Sequence, residues 1–295
     1  MDLFADLSDR LLFAVPKKGR LHERCLQLLE GADVQFRRNH RHDIALVHNL
    51  PVALVFLPAA DIAKFVGEGN VHLGITGRDI VEETEQSDKV EQALALGFGK
   101  CKLSVQAPAR GPQAVHQVED LVGKRVVTSF TQLSSKYFAE LDQRPTEIKY
   151  VGGSVEAACA LGLADCIVDL VESGETMRAA GLHAIANVLN TEAILIRNPR
   201  VRDNSVAQKL IARIEGVITA QRYVLCNYNC LRSRLPAASK ITPGRTAPTI
   251  STLEDDNHVA VSSMVLKSEV ANIMDRLKEI GATDILVFNI NNCRV

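Results

Sequence analysis

Eight short apolar runs punctuate the chain between its eleventh residue and about residue 196, at 12–15, 52–56, 73–76, 103–107, 125–128, 148–151, 166–170 and 193–196. Predominantly apolar runs of four or five residues, alternating with helical stretches and turn residues, predict an α/β protein with a largely parallel sheet. They are too many for one small sheet, and 295 residues suffice for roughly two domains. The clearest linker-like interruption is the proline- and glycine-containing stretch 108–113. It predicts two lobes meeting near residue 105, with ligands in the crevice between them and the chain returning to the first lobe near Asn187. The expected division is therefore lobe I from 1–104 and 188–218, and lobe II from 105–187.

The pattern then changes. Residues 203–221 read as a long helix, with Leu210, Ile211, Ile214, Val217 and Ile218 on one face. Strands are expected at 223–228, 249–253, 259–264 and 284–290, with a helix over 231–241 interrupted by Pro236. A second helix carries Val270, Ile273, Met274, Leu277 and Ile280 on one stripe and ends at Gly281, the residue type suited to a C′ position. The order βαββαβ over 219–295 is that of a ferredoxin-like domain.

Charge and cysteine content narrow the partners. Lys+Arg 34 against Asp+Glu 35 gives a formal net charge of −1, so no global field attracts nucleic acid or an anionic membrane. Seven cysteines fit no zinc spacing, and several sit in apolar runs as reduced buried thiols do; Cys226 and Cys230, the closest pair, lack a CxxC spacing or a nearby histidine. Residues 1–10 do not resemble a signal peptide, and no run approaches the roughly 18 apolar residues of a membrane span, so a soluble, cytoplasmic protein is expected.

The chemistry concentrates at strand ends. Residues 165–177 read as a buried strand that delivers Asp169 to its end, then a polar loop of Glu172, Ser173, Gly174, Glu175 and Thr176 opening a helix. Backbone N–H groups and hydroxyls in such a loop suit a phosphate, and Asp169 can reach ribose hydroxyls or a metal; the same residues also make an ordinary capped turn. Lys17, Lys18, Gly19 and Arg20 follow the first strand and face a polyphosphate or plain solvent. Gly74, Thr76, Gly77 and Asp79 repeat the logic at another strand end, as do Ser129 with Thr131 and Gly153 with Ser154. Glu156 is a candidate second acid near a metal or ribose, or a helix-start stabiliser.

Several chemistries are excluded. No Walker phosphate loop occurs, Gly97 and Gly99 lack the third glycine of a dinucleotide turn, and no HExxH or G-x-S-x-G is present. His40 and His42 read as exposed loop residues. With no covalent nucleophile in view, positioning and charge stabilisation must carry the reaction.

These residues together resemble the ATP phosphoribosyltransferase family. The stretch 165–177 resembles its phosphoribosyl diphosphate loop, with Gly153 to Glu156, Gly162 to Asp165, the turn at 17–21, the turn at 74–77 and Thr128 with Ser129 matching in order and spacing. Residues 243–250 and 281–287 resemble the regulatory domain of the long, fungal-type form. The resemblance implies a two-lobed, periplasmic-binding-protein-like catalytic core and a reaction in which N1 of ATP attacks the anomeric carbon of phosphoribosyl diphosphate, with Mg²⁺ present and pyrophosphate released. It implies that Glu172 to Thr176 hold the 5′-phosphate and that Asp169, the candidate catalytic residue, lies by the ribose. Lys17, Arg20, Gly74, Thr76, Gly77 and Ser129 would face the diphosphate and ATP, with Glu156 and Asp169 at the metal. It further implies a hexamer, with dimer–hexamer exchange, and histidine as feedback inhibitor bound within 219–295. Glu172 and Glu175 would repel a phosphate unless they point away or meet Mg²⁺. An intracellular ligand sensor and a phosphoribosyltransferase for another base are the competing readings; the βαββαβ tail favours the long regulated form over the latter.

Overall fold

The computed structural model describes residues 7–38, 42–142 and 144–294. Two compact units emerge: residues up to Leu26 with Gln35–Gln208, and Gln27–Val34 with the chain from Lys209 onward.

The first unit contains β1 (Leu11–Pro16), the start of α1 (Arg20–Gly31), β2 (Ile44–Leu46), β3 (Val52–Leu57), α2 (Ala59–Glu68), β4 (Leu73–Gly77), α3 (Arg78–Glu83) and β5 (Glu91–Ala95). It continues through β6 (Cys101–Pro108), β7 (Arg125–Thr128), α4 (Thr131–Leu141), β8 (Glu147–Tyr150), α5 (Ala157–Ala160), β9 (Cys166–Val171), α6 (Glu175–Ala179), β10 (Leu182–Thr191) and β11 (Ala193–Arg197). These strands form two sheets, β2-β3-β1-β4-β11-β5 in lobe I and β10-β6-β9-β7-β8 in lobe II. The chain crosses between them twice, which makes the arrangement two-lobed.

Both sheets are mixed rather than largely parallel. β1 pairs in parallel with β3 and β4, and β7 with β8 and β9, but β11 and β6 run antiparallel to their neighbours. The reason is topological: β6 and β11 are the strands that enter each lobe from the other one. The first crossing lies at 96–100, where Gly97 and Gly99 take positive φ (77° and 66°), and not at the proline-rich stretch 108–113, which follows a strand already inside lobe II. The return crossing lies at Glu192, between β10 and β11.

Apolar strand residues fill the cores. Phe13, Val15, Leu54, Phe56, Leu73 and Ile75 are buried in lobe I, and Leu103, Val105, Val126, Phe138, Cys166 and Val168 pack together in lobe II. The carboxyl ends of the parallel strands, where ligands gather in α/β sheets, carry Lys18 to Arg20, Gly77 to Asp79 and the loop after β9.

The second unit receives most of α7 (Ser205–Arg222), then β12 (Tyr223–Leu231), α8 (Leu235–Ile241), β13 (Thr249–Thr252), β14 (His258–Leu266), α9 (Val270–Glu279) and β15 (Thr283–Asn289). The sheet order β13-β14-β12-β15, antiparallel throughout, is ferredoxin-like. Pro236 lies in the first turn of α8, where its missing N–H leaves no bond unmade, so it starts a helix rather than breaking one. α9 buries Ile273 and Leu277, and at its end Ala282 N–H donates to Leu277 O (3.0 Å) and Gly281 N–H to Lys278 O (3.0 Å). Those two bonds require the left-handed φ of +85° at Gly281.

Candidate active site

β9 sets the site. At its start Asp165 makes a two-pronged pair with Arg125, Nε to Oδ2 at 3.2 Å and Nη2 to Oδ1 at 3.0 Å, which fixes β9 beside β7 and holds the Asp165 carboxyl below its usual range. Toward its other end, Asp169 O accepts from Gln106 Nε2 (3.1 Å) and Asp169 Oδ1 from Leu170 N–H (2.8 Å). Burial raises the Asp169 carboxyl above the usual carboxylate range; the nearby charge of Glu156 raises it further, while Arg20 pulls it down.

Two adjoining cavities flank the strand end. The first, of about 730 Å³, is lined by Glu172, Ser173 and Gly174 of the loop after β9 and by the cations Arg78, Lys100, Lys102 and Arg178. The second, of about 580 Å³, is lined by Lys18, Gly19, Arg20 and Arg24 of lobe I, with Gly77, Asp79, Gly97, Gly99 and Leu170. Lys100, Cys101, Glu172 and Glu192 belong to both walls. Both volumes are of ligand size, and their cations suit phosphorylated ligands.

The acids of the loop separate. Glu172 pairs with Arg20 across the lobes, Nη1 to Oε2 at 2.5 Å, on the wall shared by the cavities. Burial works against the Arg20 charge, but Glu172 and Cys101 beside it hold the guanidinium above its usual range. Glu175 is the first residue of α6, exposed and lining neither cavity, where its charge favours the helix dipole. Thr176 is likewise exposed and outside both cavities.

Gly174 sits at φ +73°, and a Cβ there would stand 2.8 Å from Arg178 Nη1. Arg178 folds back over the loop, its Nη2 donating to Ser173 O at 3.0 Å. Gly174→Val therefore introduces left-handed strain of roughly 1–2 kcal/mol and displaces that guanidinium. With this loop holding the 5′-phosphate, as the resemblance implies, the expected result in steady-state kinetics is a KM for the phosphorylated ligand raised about tenfold or more, the factor that roughly 1.4 kcal/mol represents.

Other expected site residues have different tasks. Gly74 lies beneath α2, where a Cβ would meet Ile62 Cγ2 at 2.5 Å and Val66 Cγ2 at 2.9 Å, so its small size serves helix–sheet packing and not a phosphate. Thr76 is fully buried and donates to Ala59 O (3.2 Å), tying β4 to α2. Lys17 is engaged by Asp43 (2.7 Å), and its neighbour Lys18 lines the cavity instead. Ser129 is half-buried and lines neither cavity, whereas Gly77 and Arg20 do line the second. Glu156 precedes α5 and lies within electrostatic reach of Asp169, although neither acid lines a cavity. Among the described residues no group of three or more His, Cys, Asp or Glu is arranged to hold a metal. Glu156 and Asp169 are both carboxylates, the donor type that a hard cation takes.

Sequence reasoning missed Lys100 and Lys102. They flank Cys101, the first residue of β6, directly after the positive-φ glycines Gly97 and Gly99, and that crossing was the available signal. All seven cysteines are free, Cys101 of the cavity walls among them; burial pushes the Cys25 thiol up to about 12 and Cys159 up to about 11, the behaviour of inert core thiols. His42 is exposed, and His40 lies outside the described residues.

Residues 58–216 match the family described as "HisG: ATP phosphoribosyltransferase", and residues 220–292 match "HisG, C-terminal domain". The chain belongs to the ATP phosphoribosyltransferase family. Proteins named ATP phosphoribosyltransferase from Candida albicans and Yarrowia lipolytica are 58% and 60% identical to it over 300 residues, covering 100% of both chains in each case. The one from Saccharomyces cerevisiae is 55% identical over 302 residues with the same coverage. Among solved structures, the "ATP phosphoribosyl transferase (HisG:HisZ) complex from Thermotoga maritima" superimposes with a TM-score of 0.58 at 25% identity, covering 70% of this chain and 98% of that one. Membership in the ATP phosphoribosyltransferase family makes the chain a pentosyltransferase of the first step of histidine biosynthesis, in the long form that carries the C-terminal domain. Among the described residues no helix is long and apolar enough to cross a membrane.

Proposed function

We propose that the two adjoining cavities seat the two substrates of one displacement, in which N1 of ATP bonds to the anomeric carbon of phosphoribosyl diphosphate as the bond to the diphosphate oxygen breaks. The single observation that carries this reading is the wall they share, Lys100, Cys101, Glu172 and Glu192, because a bond can form only where two bound ligands meet. The 5′-phosphate belongs in the first cavity, against Ser173 and Gly174 with Arg178 alongside and Lys102 in the same lining. The departing diphosphate and the adenine nucleotide belong in the second, against Lys18, Arg20 and Arg24.

The ring nitrogen is a neutral nucleophile that needs no strong base, so catalysis rests on orientation and on neutralising charge at the leaving group. Arg20 supplies a planar fork for that charge, and Asp169 orients the ribose and stabilises positive charge developing at its anomeric centre. Glu156 and Asp169 would hold a Mg²⁺ ion, which would supply further neutralisation of the diphosphate charge. Histidine acts as feedback inhibitor through the ferredoxin-like domain. The enzyme works in the cytoplasm as a homo-oligomer, a hexamer exchanging with dimers.

Purified protein given ATP, phosphoribosyl diphosphate and Mg²⁺, with pyrophosphatase to draw the reaction forward, is expected to form the N1-linked adduct, and added histidine to suppress it. Absence of the adduct contradicts the enzymatic reading; adduct formation indifferent to histidine contradicts the regulatory one.

A further inference from the structure

The N-terminus of α4 follows β7 as a helix follows a parallel strand, and by its sequence it is one of the polar turns suited to a phosphate. It is already filled. Glu83, the last residue of α3 in lobe I, reaches across to lobe II and accepts from Gln132 N–H (3.0 Å, Oε1), Leu133 N–H (3.0 Å, Oε2) and the Thr131 hydroxyl (3.3 Å, Oε1). Both carboxylate oxygens are engaged by groups that the helix itself leaves without partners. A second bond crosses nearby, where Lys136 of α4 pairs with Glu85 just beyond α3 (3.5 Å).

The other end of α3 is anchored as well. Asp79 is 5% exposed; its N–H donates to Thr191 Oγ1 (3.0 Å), and the Thr191 hydroxyl donates to Asp79 Oδ1 (2.6 Å). Thr191 ends β10, immediately before the chain returns to lobe I. Gly77, Asp79 and Ile80 line the second cavity. One short helix therefore begins on a cavity wall beside the return crossing and ends on the first turn of a lobe II helix.

We propose that Glu83 is a positioning residue for the transfer reaction: by capping α4 it fixes the angle between the lobes, and with it the alignment of the two cavities. This rests on the functional reading above and adds a residue that touches neither substrate. Glu83 lies outside both linings, so its loss acts on how the bound substrates face one another and not on how tightly each is held. Occupation by an internal carboxylate also removes this helix start from the anion sites open to substrate.

The test compares the full-length wild type with Glu83→Ala and Glu83→Gln, normalised to folded protein. For Glu83→Ala, kcat is expected to fall about 10- to 100-fold, the scale of a misplacement near 1 Å, with each KM within about threefold. Acetate, a free carboxylate able to occupy the vacated helix start, should restore part of that loss and leave the wild type unchanged. Glu83→Gln, which turns one acceptor into a donor facing a backbone N–H, should lose kcat too, and it decides the matter if the alanine variant does not fold. Wild-type kcat in a folded variant overturns the proposal, as does a folded, slowed Glu83→Ala that ignores acetate. A spin-label pair with one label on each lobe gives a readout independent of turnover: the distance distribution should broaden in the variant, and an unchanged distribution overturns the proposal even if the wild type proves inactive and the functional reading falls.

Discussion

Asp169→Asn is expected to lower kcat by about two to three orders of magnitude, the range seen when one preorganised charge at a reacting centre is removed. The substitution preserves shape. Asparagine keeps a side-chain oxygen to accept from Leu170 N–H, and the backbone bond from Gln106 is untouched, so β9 and its loop should remain in place. What disappears is a negative charge that burial and Glu156 disfavour and that Arg20 only partly offsets. The sign for stability follows from the raised carboxyl: a group that binds its proton more tightly folded than unfolded weakens the fold as pH rises through that interval, so at neutral pH the ionised form is a burden on the native state. The asparagine variant should therefore melt no lower than the wild type at pH 7 while turning over far more slowly. A lowered melting temperature with unchanged kcat would reverse both halves and make Asp169 a structural residue.

Arg20→Met should lower kcat/KM by about 10²- to 10³-fold, because the departing diphosphate loses its planar cationic partner. The informative contrast is Glu172→Gln. The Arg20–Glu172 pair is more than half exposed on both sides, at 59% and 55%, and exposed pairs contribute roughly 0.2–1 kcal/mol, so neutralising Glu172 should change kcat/KM by about fivefold or less. Glu172 pairs with a cation that the proposed reading gives to the diphosphate, which lets this acid stand beside a phosphate without lasting repulsion. Equal losses in the two variants would show that the ion pair itself, rather than the free guanidinium, carries the function.

The fold was legible where one physical signal dominated. Strands β1, β3, β4 and β9 are short and buried on both sides, and the stripe on α9 with its terminal Gly281 left little room for another reading. β10 was not legible because its pairing with β6 shifts register between Ala184 and Ala186 and again between Asn187 and Leu189, which destroys the alternation of an edge strand. β5, with the pattern Glu-Gln-Ala-Leu-Ala, carries too few apolar residues to announce itself.

At the site, position at a strand end picked out Arg20, Gly77 and the loop from Glu172 to Gly174, which line the cavities, and equally Gly74 and Thr76, which line neither. A glycine that admits a helix and a glycine that admits a phosphate look alike in sequence; only Ile62 and Val66 above Gly74 tell them apart. The same holds for Lys17, whose side chain Asp43 engages from a segment 26 residues further on. Glu83 was invisible because its partners lie in the other lobe, about fifty residues away along the chain, and no local pattern links an acid to a distant helix start.

The most direct test of the two-cavity account is a crystal structure of the protein with phosphoribosyl diphosphate and Mg²⁺. The 5′-phosphate should lie against Ser173 and Gly174 with Arg178 alongside, the ribose hydroxyls should face Asp169, and the diphosphate should reach Arg20. A 5′-phosphate bound instead among Lys18, Arg20 and Arg24, with the loop after β9 empty, would contradict it.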